Sequence, residues 1–214
     1  AGIYRNVYLN IKNAVNIAYN GTYITTPNVS KNQAEVFIET TLENKQNLKG
    51  KYRLQTSILN SKGEEVANSS KTINLDNELV IEDNIKVNNP VLWDLENPHL
   101  YTAKSVLLKN GNQVDNYETT FGIRSIKYSK ENGFELNGKQ VKFKGVCLHH
   151  DLGPLGSAVN YRATERQLEI MKSLGVNAIR TSHNPPSPEQ LALCDKMGIL
   201  VQVEAFDEWA IGKV

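Results

Sequence analysis

Three short polar clusters stand out in the sequence: His149-His150-Asp151, then Arg180-Thr181-Ser182-His183-Asn184, then Glu204 followed by Asp207, Glu208 and Trp209. Three of the four histidines fall in the first two clusters. Imidazoles and carboxylates move protons and exchange hydrogen bonds, a guanidinium steadies a nearby anion, and an indole offers a flat apolar face. Such a set suits a polyhydroxylated ligand held by charged and amide groups, with Trp209 as a platform for a sugar ring. A single strand-end histidine is usually structural, and Asp207-Glu208 alone reads equally well as a solvated turn. The argument therefore rests on the repetition. A metal site is the rival use of His149, His150, Asp151, His183 and Glu204. Adjacent residues on a strand point to opposite faces, so His149 and His150 cannot both ligate one ion without a bulge, and no metal is expected.

Each cluster follows a short apolar run that reads as a strand: Val141 to Leu148, Val176 to Ile179, and Ile199 to Val203. Two helical patterns separate them. The first reads from Thr164, with Gln167 at capping-box spacing, through Leu168, Met171 and Leu174 to a stop at Gly175. The second has Ser187 as N-cap, Pro188 at the first helical position, Gln190 three on from the cap, Leu191, Cys194 and Met197 inward, and Gly198 at its end. The strands show no polar outer face, which predicts a parallel sheet covered by helices. The polar clusters then sit at C-terminal strand ends, where such sheets gather ligands and catalysts. The stretch after Gly122 is far shorter than the ~250 residues of a complete (β/α)8 barrel. It is either the opening part of a barrel, with the chain ending mid-barrel, or a small open α/β sheet. A hairpin precedes it, with Phe134 and Leu136 before Asn137-Gly138 and Val141 and Phe143 after it.

From about Tyr19 to Phe121 the grammar is period-2 alternation: Val36, Ile38, Thr40, Leu42; Tyr52, Leu54, Thr56, Ile58; Ile73, Leu75; Ile85, Val87; Tyr101, Ala103, Ser105, Leu107. Turn signals at Asn60-Ser-Lys-Gly63 and Asn110-Gly111-Asn112 punctuate it, which predicts a β-sandwich. No catalytic cluster falls in this half.

With 24 Lys and Arg against 23 Asp and Glu, the net charge of +1 offers no field for nucleic acid, and no basic block appears. No apolar run approaches the ~20 residues of a membrane span. The first residues carry neither a basic nor an apolar signal region, and nothing assigns a compartment. Three Asn-x-Ser/Thr sequons, at Asn20, Asn28 and Asn68, arise easily in a chain rich in Asn and carry no weight. Cys147 and Cys194 read as free core thiols, one on a buried strand and one on a helix face.

Several segments resemble the glycoside hydrolase family that holds β-galactosidase, β-glucuronidase and β-mannosidase (family 2). Gly2-Ile-Tyr-Arg-Asn-Val-Tyr8 is similar to the last strand of its N-terminal jelly-roll domain. Trp93 to Tyr101 (WDLENPHLY) and Phe121-Gly-Ile-Arg124 resemble the close of its immunoglobulin-like domain. Leu136-Asn-Gly-Lys139 with Lys144-Gly-Val-Cys-Leu-His-His-Asp151 resembles its entry into the barrel. The long signature Asn177-Ala-Ile-Arg-Thr-Ser-His-Asn-Pro185, with Cys194-Asp195-Lys-Met-Gly198 and Glu204, is the most specific.

The resemblance implies a multidomain β plus α/β chain. Residues 1–16 would end a jelly roll, 17–123 would form an immunoglobulin-like β-sandwich, and 124–214 would open a TIM (β/α)8 barrel. It implies a retaining double displacement by two glutamates, both beyond this chain, with no cofactor. The chain alone is then inactive, its parent's partner is a β-galactoside, and the open barrel either self-associates or leaves its C-terminal portion loosely ordered. The alternatives are a non-catalytic carbohydrate-binding or scaffold protein, and a glycosidase of the same family acting on β-glucuronides or β-mannosides. The His149-His150-Asp151-Leu-Gly stretch looks most like galactosidase members, since glucuronidase relatives carry Glu in the middle of the triplet. Asn184 replaces the Tyr frequent after the signature histidine. Carried over by motif, Asp151 accepts from sugar hydroxyls, His183 is a second sugar contact and His149 lines the same floor. Arg180 orients the nucleophile and keeps it ionised, and Glu204 is a supporting rim residue.

Overall fold

The computed structural model describes residue 3 and residues 5–75 and 79–206, in two compact units. The first comprises residues 10–93 and 99–139; the second comprises residues 1–9, 94–98 and 140–214.

The first unit is the sandwich that the alternation predicts. Strands β1 (Val15–Val29), β2 (Gln33–Asn44) and β5 (Leu79–Asn88) form one antiparallel sheet in the order β1-β2-β5. Strands β3 (Gly50–Leu59), β4 (Glu65–Leu75), β6 (Tyr101–Lys109) and β7 (Asn112–Phe121) form the other, in the order β4-β3-β6-β7. Every inward residue named from the period-2 pattern is buried. One feature of the core follows from three polar residues in that pattern. Thr40, Thr56 and Ser105 are buried, each between a residue of one apolar cluster and a residue of the other along its strand; Thr56 and Ser105 face each other across β3 and β6, and their hydroxyls stand 3.4 Å apart. This belt separates two apolar clusters, one around Ile38, Ile58 and Ala103 and the other around Leu42, Leu54 and Leu107. The turns behave as their residues require. Asn110 and Gly111 have φ of 52° and 83° between β6 and β7, the double left-handed geometry that Asn-Gly supports.

Trp93 and Phe121-Gly-Ile-Arg124 close the sandwich. Trp93 is 1% exposed, its N–H donates to the Ile123 carbonyl at 2.8 Å, and the Arg124 guanidinium lies 4.8 Å from its ring centroid. Strands β8 (Ile126–Ser129) and β9 (Gly133–Leu136) follow as a hairpin, and β10 (Lys139–Gln140) is the third strand of the same small sheet. Asn137 and Gly138 turn with φ of 52° and 73°, as expected. The strand then ends at Gln140, so Val141 and Phe143 do not continue it and Phe143 is half exposed.

The second unit holds a parallel sheet, β11 (Gly145–Leu148), β12 (Ala178–Thr181) and β13 (Leu200–Gln202), in that order. Helices α1 (Tyr161–Ser173) and α2 (Pro188–Met197) connect the strands. Leu168, Ile179, Leu193, Cys194 and Ile199 form its core, with Val146, Leu148, Met171, Met197 and Val201 against them. In α2 the Ser187 side chain accepts from the Gln190 N–H, and Gly198 caps the other end in the left-handed conformation, as expected. Leu193, not Leu191, is its fully buried leucine. The start of α1 corrects the sequence reading: Asn160, not Thr164, is the N-cap and accepts from the Ala163 N–H at 2.9 Å. Thr164 instead lies buried in the first turn, with its hydroxyl donating to the Asn160 carbonyl. Leu174, expected inward, is 78% exposed at the helix end. No helix of the described residues is long and apolar enough to cross a membrane.

A methyl group at Gly122 would stand 2.7 Å and 2.8 Å from Trp93 Cβ and Cγ, with no solvent side for the indole to move into. Gly122→Ala should therefore lower stability by about 1–3 kcal/mol as an overpacked site. Urea denaturation followed by tryptophan fluorescence measures this, and an unchanged midpoint would contradict the packing described.

Candidate functional site

Side-chain alternation places the site. On β11, β12 and β13, Val146, Leu148, Ile179 and Val201 face the helices. Cys147, Arg180 and Gln202 therefore take the opposite face, and the register sets Cys147 beside Arg180 and Arg180 beside Gln202. All three are exposed. This corrects two expectations: the strands do carry a polar outer face, and Cys147 is not a core thiol. Cys194 is buried as expected, and burial pushes its thiol up to about 12.

Arg180 and the two strand ends converge on one carboxylate. Glu204 accepts from Arg180 Nε through Oε1 and pairs with His183 Nδ1 through Oε2 at 2.6 Å. Nδ1 must carry the proton to donate to a carboxylate, which in the neutral ring leaves the lone pair on Nε2. The His183 bond first, and the Arg180 bond after it, hold the Glu204 carboxyl below its ordinary range. Arg180 also reaches Cys147, its Nη1 donating to Sγ at 3.9 Å. The backbone of the carboxylate is fixed from behind, since the Glu204 N–H donates to the buried Thr181 hydroxyl at 3.0 Å. On the same strand end, the Ser182 N–H donates to the Leu148 carbonyl at 3.1 Å, and the Ser182-His183 peptide is cis.

The remaining candidates lie around this core. The His149 and His183 rings meet edge to face with centroids 6.1 Å apart. His150 Nδ1 lies 2.9 Å from Asn184 Oδ1, and Asn184 Nδ2 donates to the Pro185 carbonyl, so Asn184 braces His150. His149, His150 and Asp151 line a small concavity with Arg5, Gln167 and Gln190. Among the described residues no three His, Cys, Asp or Glu side chains gather as a metal site. Trp209, with Asp207 and Glu208, lies outside the described residues. Thus Arg180, His183 and Glu204 form one bonded unit, with His149 against it. Asp151 and Asn184 stand at its margin. Cys147 escaped the sequence reading of the site, and Thr181 and His150, named there within the polar clusters, were given no sugar-side or supporting role. Strand alternation, which sets Cys147 on the face opposite Val146 and Leu148, was the signal that could have found it.

The fold and the rim define the class: a β-sandwich unit, and a unit of parallel βα repeats that carries a charged cluster at its C-terminal strand ends. The family pattern for glycosyl hydrolases family 2 matches residues 17–124, and the pattern for the TIM barrel domain of that family matches residues 127–210. The chain belongs to glycosyl hydrolases family 2. It is 45% identical over 210 residues to "Beta-galactosidase BoGH2A" of Bacteroides ovatus, covering 97% of this chain and 25% of that protein. It is 31% identical to a "Beta-glucuronidase" of Bacteroides fragilis, covering 95% of this chain and 30% of that protein. A crystal structure of a glycosyl hydrolase family 2 member from Bacteroides cellulosilyticus superposes with a TM-score of 0.97 at 41% identity, over 100% of this chain and 28% of that one. The chain thus spans about a quarter of the length of the relatives it matches.

Because the Glu204 pKa is depressed in the folded state, its stabilising contribution is present above the unfolded value and is lost as pH falls through the folded value. Glu204→Gln should therefore melt lower than the parent chain at pH 7, with the gap closing as the pH drops below the usual carboxylate range. Melting curves for both proteins across that range would refute the ion-pair account if the gap stayed constant.

Proposed function

We propose that the whole protein is a retaining glycoside hydrolase acting on terminal β-galactosides, and that this chain supplies part of its sugar-binding rim. The observation that carries the reading is the Arg180-Glu204-His183 unit at adjacent C-terminal strand ends, with His149 against it. In parallel βα architectures that rim is the catalytic one. The galactoside choice is supported by the 45% identical relative named as a β-galactosidase and by the His149-His150-Asp151 triplet.

In this reading Asp151 accepts hydrogen bonds from sugar hydroxyls, and His183 offers Nε2 as a second contact whose direction Glu204 fixes through Nδ1. His149 lines the floor and Trp209 offers a flat apolar face. Arg180 faces the position of the nucleophile, where a cation lowers a carboxyl pKa and favours the attacking anion. Two glutamates about 5–5.5 Å apart would perform the displacement, one protonating the leaving oxygen and one attacking the anomeric carbon. Both belong to later barrel strands. In the same reading residues 1–16 close a jelly roll, 17–123 form the immunoglobulin-like sandwich and 124–214 open the barrel, with Val15 and Asn16 already paired in β1 and residues 124–139 grouped with the sandwich unit. A glucuronide is the second reading, favoured by the 31% identical relative named as a β-glucuronidase.

Nitrophenyl β-galactoside, β-glucuronide and β-mannoside, offered in turn to the full-length enzyme, decide the substrate. The galactoside should be cleaved with retention and the highest kcat/KM. Asp151→Ala and His183→Ala should each lower that value by about 10- to 150-fold, the worth of a hydrogen bond to a charged group. A preference for the glucuronide would overturn the galactoside assignment.

Within the described residues β11 and β13 are each paired on one side only, and Phe143, Val203 and Phe206 are half exposed in the same unit. Unpaired edges and apolar surface favour association, so we also propose that the isolated chain self-associates. Light scattering during size-exclusion chromatography should give a mass above 24.0 kDa that rises with concentration. A constant 24.0 kDa peak would end that proposal.

A further inference from the structure

Each of the three guanidinium nitrogens of Arg180 has a neighbour from a different place in the chain. Glu204 takes Nε, His183 lies 3.5 Å from Nη2, and Cys147 takes Nη1. The Glu204 contact is single-point, because the other carboxylate oxygen is committed to His183. The Nε–H lies in the guanidinium plane, so this bond sets the plane within the angular tolerance of one hydrogen bond and holds the group at one point. His183 cannot narrow that tolerance, since Nδ1 gives its proton to Glu204 and has no lone pair left to accept from Arg180. A second acceptor on Nη1 does narrow it. Among the described residues the atom that takes this role is the sulfur of Cys147, which the β11–β12 register places directly beside Arg180 on the same sheet face.

We propose that Cys147 is a positioning residue, whose sulfur is the second anchor of the Arg180 guanidinium and so sharpens its aim across the site. A guanidinium has donors only, so the sulfur must accept, and it accepts best as the thiolate. The surroundings favour that form: the Ser182 hydroxyl first, and Arg180 after it, hold the Cys147 thiol below its ordinary range, although desolvation and, less strongly, the Glu204 charge oppose them. Alanine at position 147 would leave Nη1 without this partner. Serine would keep an acceptor, with a shorter reach.

The pairing itself is independent of any activity, whereas its effect on turnover rests on the glycosidase reading above. Two measurements keep them apart. On the 214-residue chain, iodoacetamide alkylation of Cys147 is followed against pH by peptide mass spectrometry, which separates it from the buried Cys194. The midpoint should lie below that of an ordinary thiol and should move up in Arg180→Ala, with Arg180→Lys in between. Identical profiles in all three proteins would overturn the proposal. In the full-length enzyme, Cys147→Ala should lower kcat on nitrophenyl β-galactoside by about tenfold with little change in KM, as expected for a sub-ångström misplacement of an orienting group. Cys147→Ser should recover most of the loss. Unchanged kcat in Cys147→Ala would overturn the positioning role. A coupled thiol in an enzyme that cleaves no galactoside would instead support the pairing and count against the galactoside reading.

Discussion

The alternation of side chains across β11, β12 and β13 is the constraint on which the rest of the second unit depends. One face must be apolar, because Ile179, Val146 and Val201 pack against Leu168 and Leu193 from the two helices. The other face is then left for groups that cannot be buried without partners, and it receives Arg180, Cys147 and Gln202. A slip of one residue in β12 would drive the guanidinium into the leucine layer and turn Ile179 to solvent. Burying an unpaired cation costs far more than the few kcal/mol by which a domain is stable, so the register and the site stand or fall together.

Glu204 converts that register into a site. Its two oxygens tie Arg180 to His183, and its backbone is tied to Thr181, a buried residue on the helix side of β12. The carboxylate therefore sits where a sheet face and a strand end meet. Its charge is compensated by Arg180 and by the His183 bond, which is why it stays ionised. The arrangement aims a guanidinium and an imidazole by the same anion. If the whole protein is the galactosidase proposed, a sugar contact and a nucleophile-orienting group share one support.

The sandwich follows a different logic. Its core is divided by Thr40, Thr56 and Ser105 into two apolar clusters, and the partnered hydroxyls of the last two let a polar belt sit inside an antiparallel core. The lock at its closing end is Trp93 with Gly122 and Arg124, residues that also carry the family resemblance. Their job in this structure is packing.

Much of this was legible without coordinates because local physics decides it. Period-2 alternation named the buried face of β2 to β6. Asn-Gly pairs marked two turns, and Ser187, Pro188 and Gly198 bounded α2, since caps and left-handed turns involve residues close in sequence. The three polar clusters could be placed at strand ends for the same reason. The capping of α1 by Asn160 in place of Thr164 shows the limit of such signals, because capping-box spacing marks a helix start only where no residue upstream already caps it, as the Asn160 side chain does for the Ala163 N–H. What the tertiary structure alone decided is which side chains meet. Cys147 and Arg180 are far apart in the chain, and their contact depends on the register of a parallel pair joined through a helix. Nothing in the local sequence encodes that register. The same holds for Glu204, which composition places at a strand end and only the packed sheet places between Arg180 and His183.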